Sequence, residues 1–366
     1  MDHALPDVLR VPWPAGAPEP PPETDAAIDR ACTVLRRGGL VAIPTETVYG
    51  LAAVALDEQA VERIYIAKGR SATNPLIVHV DGIPMARRLA AAWPAAAERV
   101  AAACWPGPVT VVVPKSAEVP DRVTAGGPTV ALRCPDHPIA RRLITRLGLP
   151  LAAPSANRSL RLSPTTAAHV LEGLGAKVDL ILDAGPCGRG IESTVVDCTV
   201  TPPLILRPGP LGAAALAAIL GLDGVAEAGA DTAADGASRS PGRLARHYCP
   251  RTALEVVPRA ADRVEALARE GRRVVWMTTA AAAERTRRIA AAFPDAIVVP
   301  MPAEPDAYAA LLYAMLHAAD KRSLDRIVID EPPDEPGWRG VRDRLFRAAA
   351  GAAAEEERDD GQDEGT

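Results

Sequence analysis

Leu40-Val41-Ala42-Ile43-Pro44-Thr45-Glu46-Thr47-Val48-Tyr49-Gly50-Leu51 is the stretch on which the fold turns. Its first four residues are apolar and follow Gly38-Gly39, so they read as a short buried strand. Upstream, Ile28, Cys32 and Leu35 recur at helical spacing, and the two glycines stop that helix. Downstream, Pro44 to Leu51 packs two hydroxyls, a carboxylate and a phenol into a loop ending at glycine, which alone is equally well a polar strand end with a turn.

The same mixture continues outward. Helical periodicity covers Asp57 to Ala67, Pro84 to Ala92 and Ala95 to Cys104; strands are predicted at Leu76 to Val80, Val109 to Val113, Thr129 to Arg133, Leu151 to Ala153, Leu180 to Asp183, Ser193 to Asp197 and Leu204 to Arg207. Without strict alternation of helix and strand, the expectation is an α/β domain with a mixed, twisted sheet. Between Gly221 and Arg246 the chain is rich in Gly, Ala, Asp and Ser, as a linker is. Beyond it, strands at Leu254 to Val257, Arg273 to Met277, Ile297 to Pro300 and Ile327 to Ile329 alternate with helices at Ala261 to Glu270, Ala281 to Phe293, Tyr308 to Ala319 and Gly340 to Ala349. That rhythm predicts a small Rossmann-like, doubly wound parallel domain, though no Gly-x-Gly-x-x-Gly turn supports nucleotide binding there. The expected divisions are a disordered, proline-rich arm over 1–24, a first domain over 25–212, a linker over 213–250, a second domain over 251–350 and an acidic, disordered tail over 351–366.

A length of 366 residues suits about two domains. Apolar residues make up 48% and charged residues 24%, and no apolar run is long enough to span a bilayer. The N-terminus has acidic residues and prolines where a secretion signal has a basic head and an apolar stretch, so a cytoplasmic protein with no membrane partner is expected. Six cysteines without a C-x-x-C pair argue against a zinc site and a disulfide scaffold, and read as free thiols. The net charge of −5 is uneven: residues 26–212 hold 20 Lys and Arg against 15 Asp and Glu, whereas residues 355–366 hold 1 against 7. An excess of positive charge suits a polyanionic ligand, although scattered solvated arginines produce the same count.

Two separated segments stand out as candidate anion handlers, Lys68-Gly69-Arg70 and Ser155-Ala156-Asn157. Basic residues at a helix end also simply complement its dipole, and a lone His79 in a strand is more often structural. Asp183-Ala184-Gly185-Pro186, Gly188 and Gly190 lead into Glu192-Ser193-Thr194, a glycine-rich loop that can cradle phosphate or merely connect a hairpin.

Taken together, Thr45-Glu46-Thr47, Lys68-Gly69-Arg70, Asn74-Pro75-Leu76, Gly107-Pro108-Val109-Thr110, Ala131-Leu132-Arg133, Ser155-Ala156-Asn157, Ser163-Pro164-Thr165-Thr166, Ser193-Thr194-Val195 and Leu206-Arg207-Pro208-Gly209 resemble the YrdC-like family. They occur in family order over residues 25–212, and Ser240-Pro241-Gly242 with His247-Tyr248-Cys249-Pro250 looks like the linker signature of its long, two-domain form, the threonylcarbamoyl-adenylate synthases. The resemblance implies condensation of L-threonine, bicarbonate and ATP to threonylcarbamoyl-AMP and pyrophosphate, the first step of a tRNA modification next to the anticodon. It implies Mg²⁺ on the ATP phosphates and a downstream tRNA threonylcarbamoyl transferase system; no fixed protein ligands for that metal are identified, and a weak contact with tRNA is compatible with it.

Residue by residue, the resemblance makes Lys68, Arg70, Ser155 and Asn157 the catalytic set. Thr47, His79, Arg133, Ala153 and Ser193 match its threonine contacts, and Arg70, Asn74, Thr129, Ser155, Ser163 and Arg207 its ATP contacts, with Tyr248 the linker tyrosine that closes over the nucleotide. Departures are Ser71 for a common proline, Ala52 and Leu160 for glycines, and Arg243 for a methionine; none removes a charged contact. Two rivals carry less. A non-catalytic RNA-binding module needs stacking platforms, and aromatics are only 3% of the chain. Carbamoyl transfer of the hydrogenase-maturation kind needs zinc-finger cysteine pairs that are lacking here.

Overall fold

The computed structural model describes residues 5–14, 16–228, 247–280 and 283–360. The chain divides into two compact units, residues 1–159 with 163–243 and residues 160–162 with 244–366.

Among the described residues, the first unit is built on ten strands: β1 (Asp7–Arg10), β2 (Val41–Ile43), β3 (Gly50–Val54), β4 (Ile77–His79), β5 (Val109–Pro114), β6 (Thr129–Arg133), β7 (Leu151–Ala152), β8 (Leu180–Asp183), β9 (Thr194–Asp197) and β10 (Leu204–Arg207). They form one sheet in the order β1-β8-β2-β3-β7-β4-β6-β5-β9-β10. Parallel pairs such as β4 with β6 and β5 with β9 sit beside antiparallel pairs such as β5 with β6 and β9 with β10. The sheet is mixed, as the lack of strict alternation predicted. Helices Pro22–Arg36, Ala95–Cys104 and Pro138–Leu147 bury apolar faces, and the main core runs through Ile28, Leu35, Val61, Val100, Leu143 and Leu182.

Several segments differ from expectation. The arm over residues 1–24, expected to be disordered or extended, contains β1, which pairs in parallel with β8. Val11 just after it is fully buried, and the Thr24 hydroxyl donates to Pro12 O. The prolines do not prevent this because the strand lies at the sheet edge and occupies the proline-free stretch between Pro6 and Pro12. Gly50 does not end a loop but begins β3, whose small residues are buried throughout. Within the expected linker, Ala213–Leu220 is a helix, while Ser240-Pro241-Gly242 and Arg243 lie outside the described residues.

The second unit carries β11 (Leu254–Val257), β12 (Val274–Thr278), β13 (Ala296–Pro300) and β14 (Arg326–Asp330) in the order β11-β14-β12-β13, all parallel. Helices Ala260–Arg269, Glu284–Ala292 and Pro305–Asp320 intervene between them. The last helix runs from Arg339 to Asp360, so residues 351–360, expected to be disordered, are helical; 361–366 lie outside the described residues. Alanines continue the helix past Phe346, and alanine is the strongest helix former. All six cysteines are free thiols, five of them buried.

Candidate active site

Helix Glu58–Lys68 delivers the first group of side chains. Asp57 caps its start, accepting from the N–H of Gln59 and Ala60, and Gly69 ends it with φ 60, a left-handed position that glycine takes without a steric penalty. The cap leaves Lys68 in the last turn, pointing inward and only 3% exposed. Lys68 Nζ donates to Ser155 O at 2.5 Å and to Asn157 O at 2.6 Å, and its own carbonyl accepts from Ser159 N. Burial, reinforced by the neighbouring Arg70 charge, holds this amine well below the usual lysine range, with Glu192 pulling the other way. The loop it grips is also held to β3, through Leu51 N to Pro154 O and Ala156 N to Tyr49 O.

Arg70 turns the other way. Its Nη2 donates to Asn74 Oδ1 at 2.6 Å and Pro75 O at 2.7 Å, and its Nε to Asn74 O. The two segments Lys68-Gly69-Arg70 and Ser155-Ala156-Asn157 thus meet through Lys68, while Arg70 organises the turn into β4.

The second group lies on one face of the sheet. His79 at the end of β4 and Arg133 at the end of β6 are register partners, and alternation along the strands puts Ile77 and Ala131 on that same face. Arg133, 4% exposed, donates from Nη2 to Glu46 Oε1 at 2.6 Å and to Thr47 Oγ1 at 2.9 Å, and from Nε to Gly107 O. Thr45 Oγ1 accepts from the N–H of Thr47 and Val48, which fixes the loop that presents Glu46 and Thr47. Both ring nitrogens of His79 are buried without a hydrogen-bond partner among the described residues, and burial with the nearby Arg133 charge pushes the imidazole well below its ordinary value, so it is neutral.

Ser193, leading into β9, completes this face. Its Oγ lies 2.8 Å from Thr110 Oγ1, and Arg207 Nη2 donates to Ser193 O at 2.9 Å and to its Oγ at 3.2 Å. Gly209 permits the approach: a Cβ there would stand 2.5 Å from Thr194 N and 2.8 Å from Ser193 C. The hydroxyl of Ser163 donates to Glu192 Oε1 at 2.5 Å. Below these polar groups, Ile77, Val112, Ala131, Val195 and Leu206 form an apolar cluster separate from the main core.

Of the residues singled out in the sequence, Thr47, His79, Arg133, Ser193 and Arg207 converge on this face. Lys68, Ser155 and Asn157 form one clamp, and Ala153 ties it to β4 through Ala153 N to Ile77 O. Thr129 opens β6 and so lies about 13 Å along the strand from Arg133. Tyr248 belongs to the second unit, where it is 1% exposed, with its ring centroid 4.0 Å from His247 and 5.8 Å from Tyr313 and the Arg344 guanidinium 5.3 Å away. Leu160, in place of a glycine, takes φ 68. Three participants had no role from sequence reasoning: Glu46, Thr110 and Glu192. Each lies within or beside a quoted motif, but only the partner across the sheet reveals what it does.

Comparison with known proteins matches residues 33–209 to the Sua5/YciO/YrdC family model, described as "Telomere recombination", and residues 212–350 to "Threonylcarbamoyl-AMP synthase, C-terminal domain". Among curated proteins, the chain is 39% identical over 332 residues to a threonylcarbamoyl-AMP synthase of Bacillus subtilis, covering 89% of this chain and 94% of that one. It is 47% identical over 234 residues to that of Pyrococcus abyssi, covering 64% and 68%. Among solved structures, P. abyssi Sua5 complexed with L-threonine superposes with a TM-score of 0.83 at 34% identity, covering 94% of this chain and 98% of that one.

Proposed function

Since the chain belongs to the Sua5/YciO/YrdC family, in the form that carries the threonylcarbamoyl-AMP synthase C-terminal domain, we propose that it condenses L-threonine, bicarbonate and ATP to threonylcarbamoyl-AMP and pyrophosphate. It acts as a nucleotidyltransferase in the cytoplasm and hands its product to a tRNA threonylcarbamoyl transferase system, with at most weak contact to tRNA of its own.

The observation that carries this reading is the arrangement of cations around one polar face: Arg133 with Thr47 and His79 at one part, Arg207 with Ser193 beside it, and the Lys68 clamp on the Ser155–Asn157 loop. Thr47, His79, Arg133, Ala153 and Ser193 form the threonine pocket, with the guanidinium of Arg133 suited to a carboxylate. Arg70, Asn74, Thr129, Ser155, Ser163 and Arg207 take ATP, and Tyr248 covers it. Lys68 and Arg70 with Ser155 and Asn157 form the catalytic set.

Once threonine's ammonium group is carboxylated by bicarbonate, with loss of water and a proton, its carbamate oxygen is an anionic nucleophile. Attack on the α-phosphorus forms the new P–O bond as the bond to the β-phosphate oxygen breaks and pyrophosphate leaves. Such a step needs alignment and charge neutralisation more than a base. Lys68 contributes by holding the Ser155–Asn157 loop rigid as well as by its charge. Mg²⁺ bound with ATP would supply further neutralisation of the phosphate charge.

Pyrophosphate release from ATP by the purified protein tests the reading. Release should require both threonine and bicarbonate. Turnover indifferent to threonine would overturn it.

A further inference from the structure

An α-amino acid brings two opposite charges to its pocket. None of Thr47, His79, Arg133, Ala153 and Ser193 has an anionic side chain, so this set supplies a partner for the carboxylate and no charge for the ammonium. The structure adds a carboxylate among them. Glu46 Oε1 is bound by Arg133 Nη2 at 2.6 Å, and the side chain of Glu46 is 12% exposed.

The two ends of this ion pair are unequally used. On the cation, Nη2 serves Glu46 and Thr47 and Nε serves Gly107 O, while Nη1 has no hydrogen-bond partner among the described residues. On the anion, Oε1 is taken, whereas Oε2 is buried with no partner among the described residues. A buried acceptor left unsatisfied is costly, and so is a buried imidazole with neither nitrogen bonded, as in His79 alongside. The pair therefore leaves one donor edge of the guanidinium and one carboxylate oxygen unsatisfied, the complement of a zwitterion's carboxylate and ammonium. The hydroxyl of Thr47, already on Arg133, and the neutral ring of His79 add hydrogen bonds without adding a positive charge that would repel the ammonium.

Building on the threonine pocket proposed above, we propose that Glu46 is its ammonium anchor: Oε2 accepts from the substrate's ammonium group while Nη1 of Arg133 holds the substrate's carboxylate. Glu46 then makes the pocket selective for an α-amino acid over the corresponding α-hydroxy acid, and it aims the nitrogen that must be carboxylated to the carbamate. The ion pair to Arg133 stays in place throughout, so the pocket is set before the substrate arrives.

Calorimetric titration of the full-length protein tests this with L-threonine and with 2,3-dihydroxybutanoate, in which a hydroxyl replaces the amine. Wild type should bind threonine at least roughly 30-fold more tightly than the hydroxy acid, the worth of one charged hydrogen bond. In Glu46→Gln that preference should shrink to about threefold or less, chiefly by loss of threonine affinity, with ATP binding unchanged; Glu46→Asp should fall between. Equal binding of the two ligands by wild type, or a preference kept intact in Glu46→Gln, overturns the anchor. The wild-type comparison decides even where a variant fails to fold. A wild type that binds neither ligand overturns the threonine pocket itself, a different outcome from one that binds both alike.

Discussion

Lys68 Nζ reaches the backbone carbonyl of Asn157 at 2.6 Å, and through it the last turn of one helix fixes the loop after β7. The lysine is consumed by this contact and its twin at Ser155 O, so its loss acts on loop position as much as on charge. Lys68→Met, which keeps the stem and removes the donor, is expected to lower pyrophosphate release at least about 100-fold, comparable to removing one preorganised donor from an active site. Lys68→Arg should not restore it, because a planar guanidinium cannot fit two carbonyls set for a compact ammonium. Release measured at saturating ATP and threonine checks both; an active Lys68→Arg would contradict the clamp.

The parts of the site legible in the sequence are those set by near neighbours. Asp57 and Gly69 bracket the helix that carries Lys68, and Thr129 to Arg133 alternates and ends on its charge, so both elements were readable to within a residue. β3 was not, because Gly50-Leu51-Ala52-Ala53-Val54 is buried on both faces and lacks the alternation of a half-exposed strand. β1 depends on β8, far along the chain, and nothing local announces that pairing. The same holds for the Arg133–Glu46 ion pair, whose members are 87 residues apart. Motif order made Arg133 a candidate; only the sheet, by setting β6 beside β4 and under the loop from β2, made Glu46 its partner.

Gly209 is expected to tolerate no side chain. In Gly209→Ala the added carbon meets backbone atoms of Ser193 and Thr194, which cannot swing aside as a flexible side chain would. A loss of about 2 to 3 kcal/mol in urea unfolding is expected, with weaker threonine binding because Ser193 is displaced. Wild-type stability would mean that the backbone of this crossing yields more easily than its packing implies.

Leu160 should respond in the opposite sense. At φ 68 an L side chain crowds the following carbonyl, and relief of that strain is worth about 1 to 2 kcal/mol, partly offset by about 0.4 to 1 kcal/mol from the freer unfolded chain. Leu160→Gly is therefore expected to stabilise by up to about 1 kcal/mol, and Leu160→Val, branched at Cβ, to destabilise by more than about 1 kcal/mol. Thermal unfolding of the two variants side by side checks the sign.

His137 gives the fold a predictable acid response. Its Nδ1 accepts from Ile139 N and so caps helix Pro138–Leu147, a role open only to an unprotonated nitrogen. Burial pushes this imidazole down to about 4, against a pull in the other direction from Glu46. The unfolded chain takes up a proton at this residue through about pH 6.5, the folded one only near 4. Between those values the unfolded state binds more protons, so the contribution is whole above pH 6.5 and is lost as the pH falls. The expected loss is roughly 2 kcal/mol by pH 5 and about 3 kcal/mol by pH 4. His137→Asn supplies a cap that does not titrate and should lack this component. The stability difference between wild type and His137→Asn, measured by urea unfolding at pH 7.5 and pH 5, should therefore move by about 2 kcal/mol in favour of the variant; a difference that stays constant would place the proton elsewhere and leave the cap a geometric feature without a charge state to protect.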